Sequence, residues 1–121
     1  MAAMQASAGA ALRAGTEYRL NGAAHRTFAR PAGEVADGLR TALQRLAMPV
    51  LSETDVEDRR EIVAEARDRV VEASLTPLTP AATALRLVVK QGFLRRDRAT
   101  ASEIIAQTER ALLLSEVARP P

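Results

Sequence analysis

The chain has 121 residues, of which 47% are hydrophobic and 26% charged, and its formal net charge is +2 at pH 7. This length suits one domain, and this composition is typical of a globular protein rather than a disordered one. The absence of cysteine excludes disulfides, thiolate nucleophiles and zinc–thiolate sites, and it leaves the redox compartment open. Aromatic residues make up only 2% of the chain, which argues against a base-stacking surface for single-stranded nucleic acid.

The N-terminal segment 1–16 is rich in alanine. Its Ala-Ser-Ala triplet at 6–8 resembles a signal-peptidase site, but the segment lacks the basic and strongly apolar regions of a signal peptide. We expect either a disordered arm or a remnant of a targeting segment, then a single domain over 17–117 and a tail over 118–121. No stretch approaches the ~18 consecutive apolar residues of a transmembrane helix, so we do not expect the chain itself to cross a membrane.

A strand and a helix are predicted first along the chain. Apolar residues alternate loosely with polar ones over 17–29, and Asn21-Gly22 offers a turn or bulge within this strand. The helix begins near Pro31 and ends before Pro49, and its apolar residues recur at helical spacing: Val35, Leu39, Ala42, Leu43 and Leu46. Gly38 costs this helix about 1 kcal/mol relative to alanine, but its missing side chain would let a sheet approach closely.

The segment 53–75 supports two interpretations, on which the fold class depends. As a helix, it is rich in the good helix formers Glu, Arg and Ala and has one apolar stripe: Ile62, Val63, Ala66, Val70 and Ala73. As a β-hairpin, it turns at 67–69 and places apolar residues on one face of both strands: Ile62, Ala64, Ala66, Val71, Ala73 and Leu75. The local pattern favours the helix, because the alternation is softer.

The segment 85–92 favours the hairpin interpretation of 53–75. Leu85, Leu87 and Val89 alternate as in an amphipathic strand, which Gly92 closes. A single strand leaves its backbone hydrogen-bonding groups unpaired, so a neighbouring segment must be extended as well. We therefore predict an α+β fold, a two-layer sandwich in the order β-α-β-β-β-β-α, with an antiparallel meander covered by two helices. The alternative is an all-α four-helix bundle, with helices from Glu34, Glu53, Ala81 and Thr100 onward.

The last predicted element is a helix that reaches about residue 117. Thr100 and Glu103 form a capping-box signature at its start, and apolar residues follow at helical spacing. Leucines occupy the three consecutive positions 112–114. Because successive residues of a helix point in different directions, these three leucines cannot all face one core.

This order of elements, together with five short segments, resembles a family of small bacterial envelope proteins known as domain of unknown function 3568. The segments are 25–29, 42–50, 75–78, 85–94 and 104–105. The resemblance covers about residues 18–114, is one of pattern, and brings no catalytic residues. It implies a periplasmic location or one peripheral to a membrane. Members are often predicted to be lipid-anchored through an N-terminal cysteine, and the lack of that cysteine and of a signal peptide leaves a cytoplasmic location open.

No constellation of residues indicates catalysis or cofactor binding. His25 is the only histidine, and a Gly-x-Ser-x-Gly nucleophile elbow and glycine-rich phosphate loops are both absent from the sequence. Glu53, Asp55 and Glu57 share one face of an extended segment and offer oxygen ligands for a divalent cation, but they lack the pattern of a calcium loop. A solvated charge run that protects a sheet edge is the favoured interpretation. We predict no catalytic residue, no cofactor and no metal site.

The best candidate for partner binding is a basic cluster around an apolar pair: Lys90, Phe93, Leu94, Arg95, Arg96 and Arg98. Guanidinium groups beside an apolar tip suit phosphate headgroups, a nucleic-acid backbone or an acidic protein. The alternative is that Phe93 and Leu94 cap the core while the arginines stay solvated.

These features together predict a non-catalytic interaction or scaffold domain, associated with the bacterial cell envelope, whose partner is another protein. It would use its sheet edge or the loop around Phe93. One alternative is an accessory subunit of a larger, membrane-bound complex, docked through the Ala-rich arm and the three leucines. A second alternative is a nucleic-acid-binding module that uses the basic cluster. Neither the oligomeric state nor the partner follows from the sequence.

Overall fold

The structure, a computed structural model, describes residues 17–18, 23–92 and 95–118. Within these ranges it has two helices, α1 (Ala32–Arg45) and α2 (Arg98–Ala118). Its five long strands are β2 (Ala24–Phe28), β3 (Val50–Val56), β4 (Arg59–Ala66), β5 (Arg69–Thr79) and β6 (Ala82–Gln91). Two strands of two residues each, β1 (Glu17–Tyr18) and β7 (Arg95–Arg96), complete the sheet.

All strands belong to one antiparallel sheet in the order β1-β2-β6-β5-β4-β3, and β7 pairs with β6 beyond the end of β2. The strands β3 to β6 form a meander, and both helices lie against one face of the sheet. The predicted α+β sandwich with the order β-α-β-β-β-β-α is therefore confirmed, and the four-helix bundle is wrong.

The hairpin interpretation of the middle segment is also confirmed. β4 and β5 pair so that Ile62 lies opposite Ala73 and Ala64 opposite Val71, and all four side chains are buried. The turns of the meander before and after β4 consist of Glu57-Asp58 and Arg67-Asp68. Glu57 has a φ of 59° and Arg67 a φ of 54°, a left-handed conformation that costs an ordinary residue about 1–2 kcal/mol. The turns thus lack the glycine and asparagine that normally signal a hairpin.

The core lies between the inner face of the sheet and the two helices. Side chains of β6 that were predicted to point inward, Leu85, Leu87 and Val89, are at most 1% exposed. The helices bury their apolar stripes against this face, as predicted for α1: Val35, Leu39, Ala42 and Leu43 of α1, and Ile104 and Ile105 of α2. Two threonines are also fully buried, and their hydroxyl groups donate to backbone carbonyls, Thr83 to Arg30 and Thr108 to Ile104.

Some predicted features of the N-terminal half fall outside the described residues. The strand predicted over 17–29 is present as two short antiparallel strands, β1 and β2. Leu20 and the Asn21-Gly22 pair lie in the undescribed stretch between them, and the Ala-rich segment 1–16 before β1 is also outside the described residues.

Gly38 permits a close approach of α2 to α1, not of the sheet as we had expected. A methyl group at this position would lie 3.2 Å from Cγ of Leu112 and 3.3 Å from the carbonyl oxygen of Thr108, both on α2. Such distances are shorter than ordinary van der Waals contacts. The missing side chain of Gly38 therefore sets how closely the two helices pack, and Leu112 fills the space above it.

Gly38→Val should lower the free energy of unfolding by about 1–3 kcal/mol, because the added atoms overpack the contact with α2. The matched control is Gly33→Val in the first turn of the same helix, where a new Cβ meets no atom within 4 Å. That variant should change the stability by no more than about 0.5 kcal/mol. Urea unfolding followed by circular dichroism measures both, and equal stabilities for the two variants would contradict the proposed packing.

Candidate interaction surfaces

The structure brings part of the predicted basic cluster together. Lys90 of β6 lies in register with Arg96 of β7, and Arg98 follows as the first residue of α2. Arg95 lies in register with Gln91, and only its backbone is described. Phe93 and Leu94 lie outside the described residues. Their proposed role, whether at a binding tip or as a cap on the core, therefore stays a prediction.

Carboxylates that are distant in sequence lie among these cations. Nζ of Lys90 donates to Glu72 at 3.1 Å, and Nε of Arg69 donates to Asp97 at 2.8 Å. The side-chain amide of Gln91 donates to Asp68 at 3.3 Å. The region is thus a surface of mixed charge, which is a weaker match to a phosphate backbone than the sequence alone indicated.

Asp97 caps α2, so the helix starts two residues before the predicted Thr100-Glu103 capping box. One carboxylate oxygen of Asp97 accepts the Thr100 N–H at 2.9 Å, and the other accepts the Thr100 hydroxyl at 2.6 Å. Glu103 instead accepts a hydrogen bond from Gln107, one turn further along α2. The hydrogen bonds from Thr100, helped by Arg69, lower the pKa of Asp97 to about 2 although the carboxyl group is largely buried.

Of the three carboxylates considered as cation ligands, two are paired with arginines. Glu53 and Asp55 share the inner face of β3, but Glu57 lies in the following turn. Both oxygens of Glu53 accept hydrogen bonds of 2.8 Å from Arg40 of α1, and these bonds lower the pKa of Glu53. Asp55 accepts a hydrogen bond from Arg60 at 3.0 Å. Within the described ranges, no three carboxylate or imidazole groups are arranged to hold a metal ion.

In the described part of the chain β3 is one edge of the sheet, and it carries features that discourage pairing with another strand. A bulge interrupts its register between Val50 and Ser52, and its inward positions Glu53 and Asp55 are charged. Bulges and inward charges of this kind are devices by which natural proteins protect their sheet edges. Leu51, within the bulge, is 61% exposed.

His25 lies on the opposite face of the sheet from the helices. It is in register with Arg86 of β6 on one side and with Glu17 of β1 on the other, and its side chain is half-buried. That the chain has no catalytic residue stays a prediction.

The three consecutive leucines of α2 separate as the helical geometry requires. Leu112 is 5% exposed and packs against Gly38, whereas Leu113 is 56% and Leu114 50% exposed. The sequence indicated that these leucines could not share one core, but not which of them would be outside it.

Two shallow grooves flank the exposed leucines. Leu113 lines a groove of about 190 Å³ between β2 and α2, together with Phe28, Arg26 and Arg30. Leu114 lines a second groove, of about 180 Å³, between α1 and α2.

Ion pairs join the elements that line the groove beside Leu113. Arg26 is paired with Glu109, and Arg30 donates to Glu34 at 2.9 Å and to Glu116 at 2.6 Å. The guanidinium of Arg26 also lies 5.5 Å from the centre of the Phe28 ring. The pair of Arg26 and Glu109 connects β2 to α2, and Arg30 connects the segment after β2 to both helices, so the groove has charged groups beside its apolar residues.

Neither helix in the described part of the chain combines the length and the apolar character that crossing a membrane requires. No protein-family model matches this chain, and no curated protein matches it either. Any functional argument therefore depends on the surfaces described above.

Asp97→Ala should lower the free energy of unfolding by about 1–2 kcal/mol, because α2 loses its N-terminal cap. Asp97→Asn is the matched control, since asparagine keeps the capping geometry but does not ionise. The folded-state pKa of Asp97 lies below its unfolded value, so its ionised form stabilises the fold above about pH 4 and this stabilisation is lost as the pH falls towards 2. The temperature of thermal unfolding should thus change less between pH 2 and pH 5 for Asp97→Asn than for the native chain. Parallel pH profiles would contradict this role.

Proposed function

We propose that this chain is a non-catalytic interaction domain whose protein partner packs against Leu113 and Leu114 at the end of α2. The observation that carries the proposal is the exposure of these two adjacent leucines beside the two grooves. Both project from a helix that Gly38 and Leu112 hold firmly against α1. A partner would therefore meet a preformed apolar surface, with little ordering cost.

The chemistry of this surface matches that of many protein interfaces. Single exposed leucines are common on soluble proteins, so the argument rests on the position of two of them next to each other. Burying a fully exposed leucine contributes about 1.5–3 kcal/mol, so covering each of these half-exposed leucines contributes about half as much, which suits the centre of a modest interface. Arg26 and Arg30, with their glutamate partners, form a charged rim on one side, as is typical around apolar interface centres.

The other candidate surfaces are weaker supports for the proposal. The edge strand β3 carries a bulge and inward charges, which favours protection over strand addition. The basic cluster contains interleaved carboxylates, so nucleic-acid binding is the less favoured alternative. The hypothesis of an accessory subunit of a larger, membrane-bound complex uses the Ala-rich arm 1–16 as well as the three leucines. Of these leucines Leu112 is buried, so Leu113 and Leu114 support both hypotheses. An envelope location is part of this proposal only through the resemblance to domain of unknown function 3568.

The proposal is tested with Leu113→Gln combined with Leu114→Gln in the tagged full chain. Glutamine keeps the length and the helix propensity of leucine but removes its apolar surface, so the fold should be unchanged by circular dichroism. Proteins that co-purify with the native chain from its own cells should be lost with this variant. The control is Leu51→Gln, which changes the exposed leucine of β3 and should keep the same proteins.

Retention of the same proteins by the double variant would overturn the proposal. Binding to DNA that falls steeply as salt rises, and that Arg96→Glu with Arg98→Glu abolishes, would support the nucleic-acid alternative instead. A native chain that is never found free of its partner would indicate a permanent subunit.

A further inference from the structure

Neither of the two described helices covers the second face of the sheet, which we call the outer face. Successive residues of a strand point to opposite faces, so the outward residues follow from the register. On β4 the outward residues that pair with β5 are Glu61, Val63 and Glu65, with the outward Arg59 at the start of the strand, and on β6 they include Arg86, Val88 and Lys90. Each residue of the first set lies in the same cross-strand row as one of the second: Glu61 with Arg86, Val63 with Val88, and Glu65 with Lys90.

The acids and bases of one row cannot reach each other within the chain. β5 lies between them, so β4 and β6 are about 10 Å apart. Two of the charged groups form ion pairs within the chain. Lys90 pairs with Glu72, and a carboxylate oxygen of Glu61 lies 3.4 Å from Nε of Arg59. Glu65 and Arg86 are exposed and form no ion pair with any described residue. The outer face therefore has an acidic column and a basic column whose charges are only partly compensated.

We propose that the outer face binds a second copy of this chain, face to face, about a two-fold axis parallel to β5. Rotation by 180° about this axis exchanges the positions of β4 and β6 and leaves each row in place. Glu61 of each copy then meets Arg86 of the other, and Glu65 meets Lys90. A uniformly charged partner, such as nucleic acid or an anionic membrane, would be repelled by the column on β4, so a second copy fits this face better.

The contact is expected to be weak and sensitive to salt. Centred on β5, the overlap comprises β4, β5 and β6 together with parts of β2 and β3; at a strand spacing of about 4.8 Å and a length of about 25 Å it offers roughly 500 Å² per copy, near the lower limit for specific complexes. Val63 and Val70 are half-buried and would gain contacts in the dimer. Val88 is only 5% exposed in the single chain, so it adds little. Glu72 lies near the axis in both copies, and the hydrogen bond from Lys90 offsets its charge there. This surface is separate from that of Leu113 and Leu114, and the inference does not depend on the proposed function.

Sedimentation equilibrium of the full chain tests the inference. The native chain should form dimers at micromolar to millimolar concentrations in low salt, and the dimers should dissociate as ionic strength rises. Glu61→Lys with Glu65→Lys, and separately Arg86→Glu with Lys90→Glu, should each weaken the dimer by about a hundredfold or more through like-charge contacts. A mixture of the two variants should form a mixed dimer. The fourfold variant that combines all these changes should again dimerise with itself.

The control is Glu103→Lys with Arg110→Glu, two exposed changes on α2 that should leave the dimer unchanged. Circular dichroism of each variant establishes that it is folded. The recovery of dimers by the fourfold variant distinguishes a charge-matched interface from simple damage to the sheet. A native chain that stays monomeric at all concentrations, or a dimer that neither reversal weakens, would overturn the inference.

Discussion

The pairing of β6 along both of its edges is the constraint on which the rest of the structure depends. β5 pairs with it on one side, and β2 and β7 pair with it on the other. The carbonyl of Val89 also accepts the N–H of Asp97 at 2.8 Å, which places the start of α2 beside the sheet. Since buried backbone groups need hydrogen-bond partners, the burial of this strand requires strands on both sides. The inner residues Leu85 and Leu87 can then form the floor of the core.

The long elements could be predicted because their periodicity agrees with their final packing. The spacing of Val35, Leu39 and Leu43 matches the face of α1 that is buried, and the alternation in β6 matches its inner face. The hairpin of β4 and β5 followed only from the need of β6 for a partner. Its local composition favours a helix, and its turn contains Arg67 in a left-handed conformation without a glycine signal, as the turn before β4 does with Glu57. Tertiary pairing therefore outweighed local propensity in this segment.

The surfaces were harder to predict because residues that are distant in the sequence pair with the surface residues and offset their charge. Asp97 became the cap of α2 while Arg69, which is 28 positions earlier, came to lie beside it. Glu72 likewise offsets the charge of Lys90, so the basic cluster is less positive than its sequence alone indicates. For the leucines, helical geometry showed that one face could not hold all three. Only the contact between Gly38 and Leu112 decided which leucine would be buried.

Two-dimensional NMR tests most directly whether the middle segment completes the sheet around β6. We expect cross-strand nuclear Overhauser effects between Ile62 and Ala73 and between Ala73 and Leu87, because these residues are opposite each other in the ladders. Backbone contacts between residues three apart, running continuously from Ile62 to Ala73, would instead show a helix. That result would contradict the β-layer and the surfaces inferred from it.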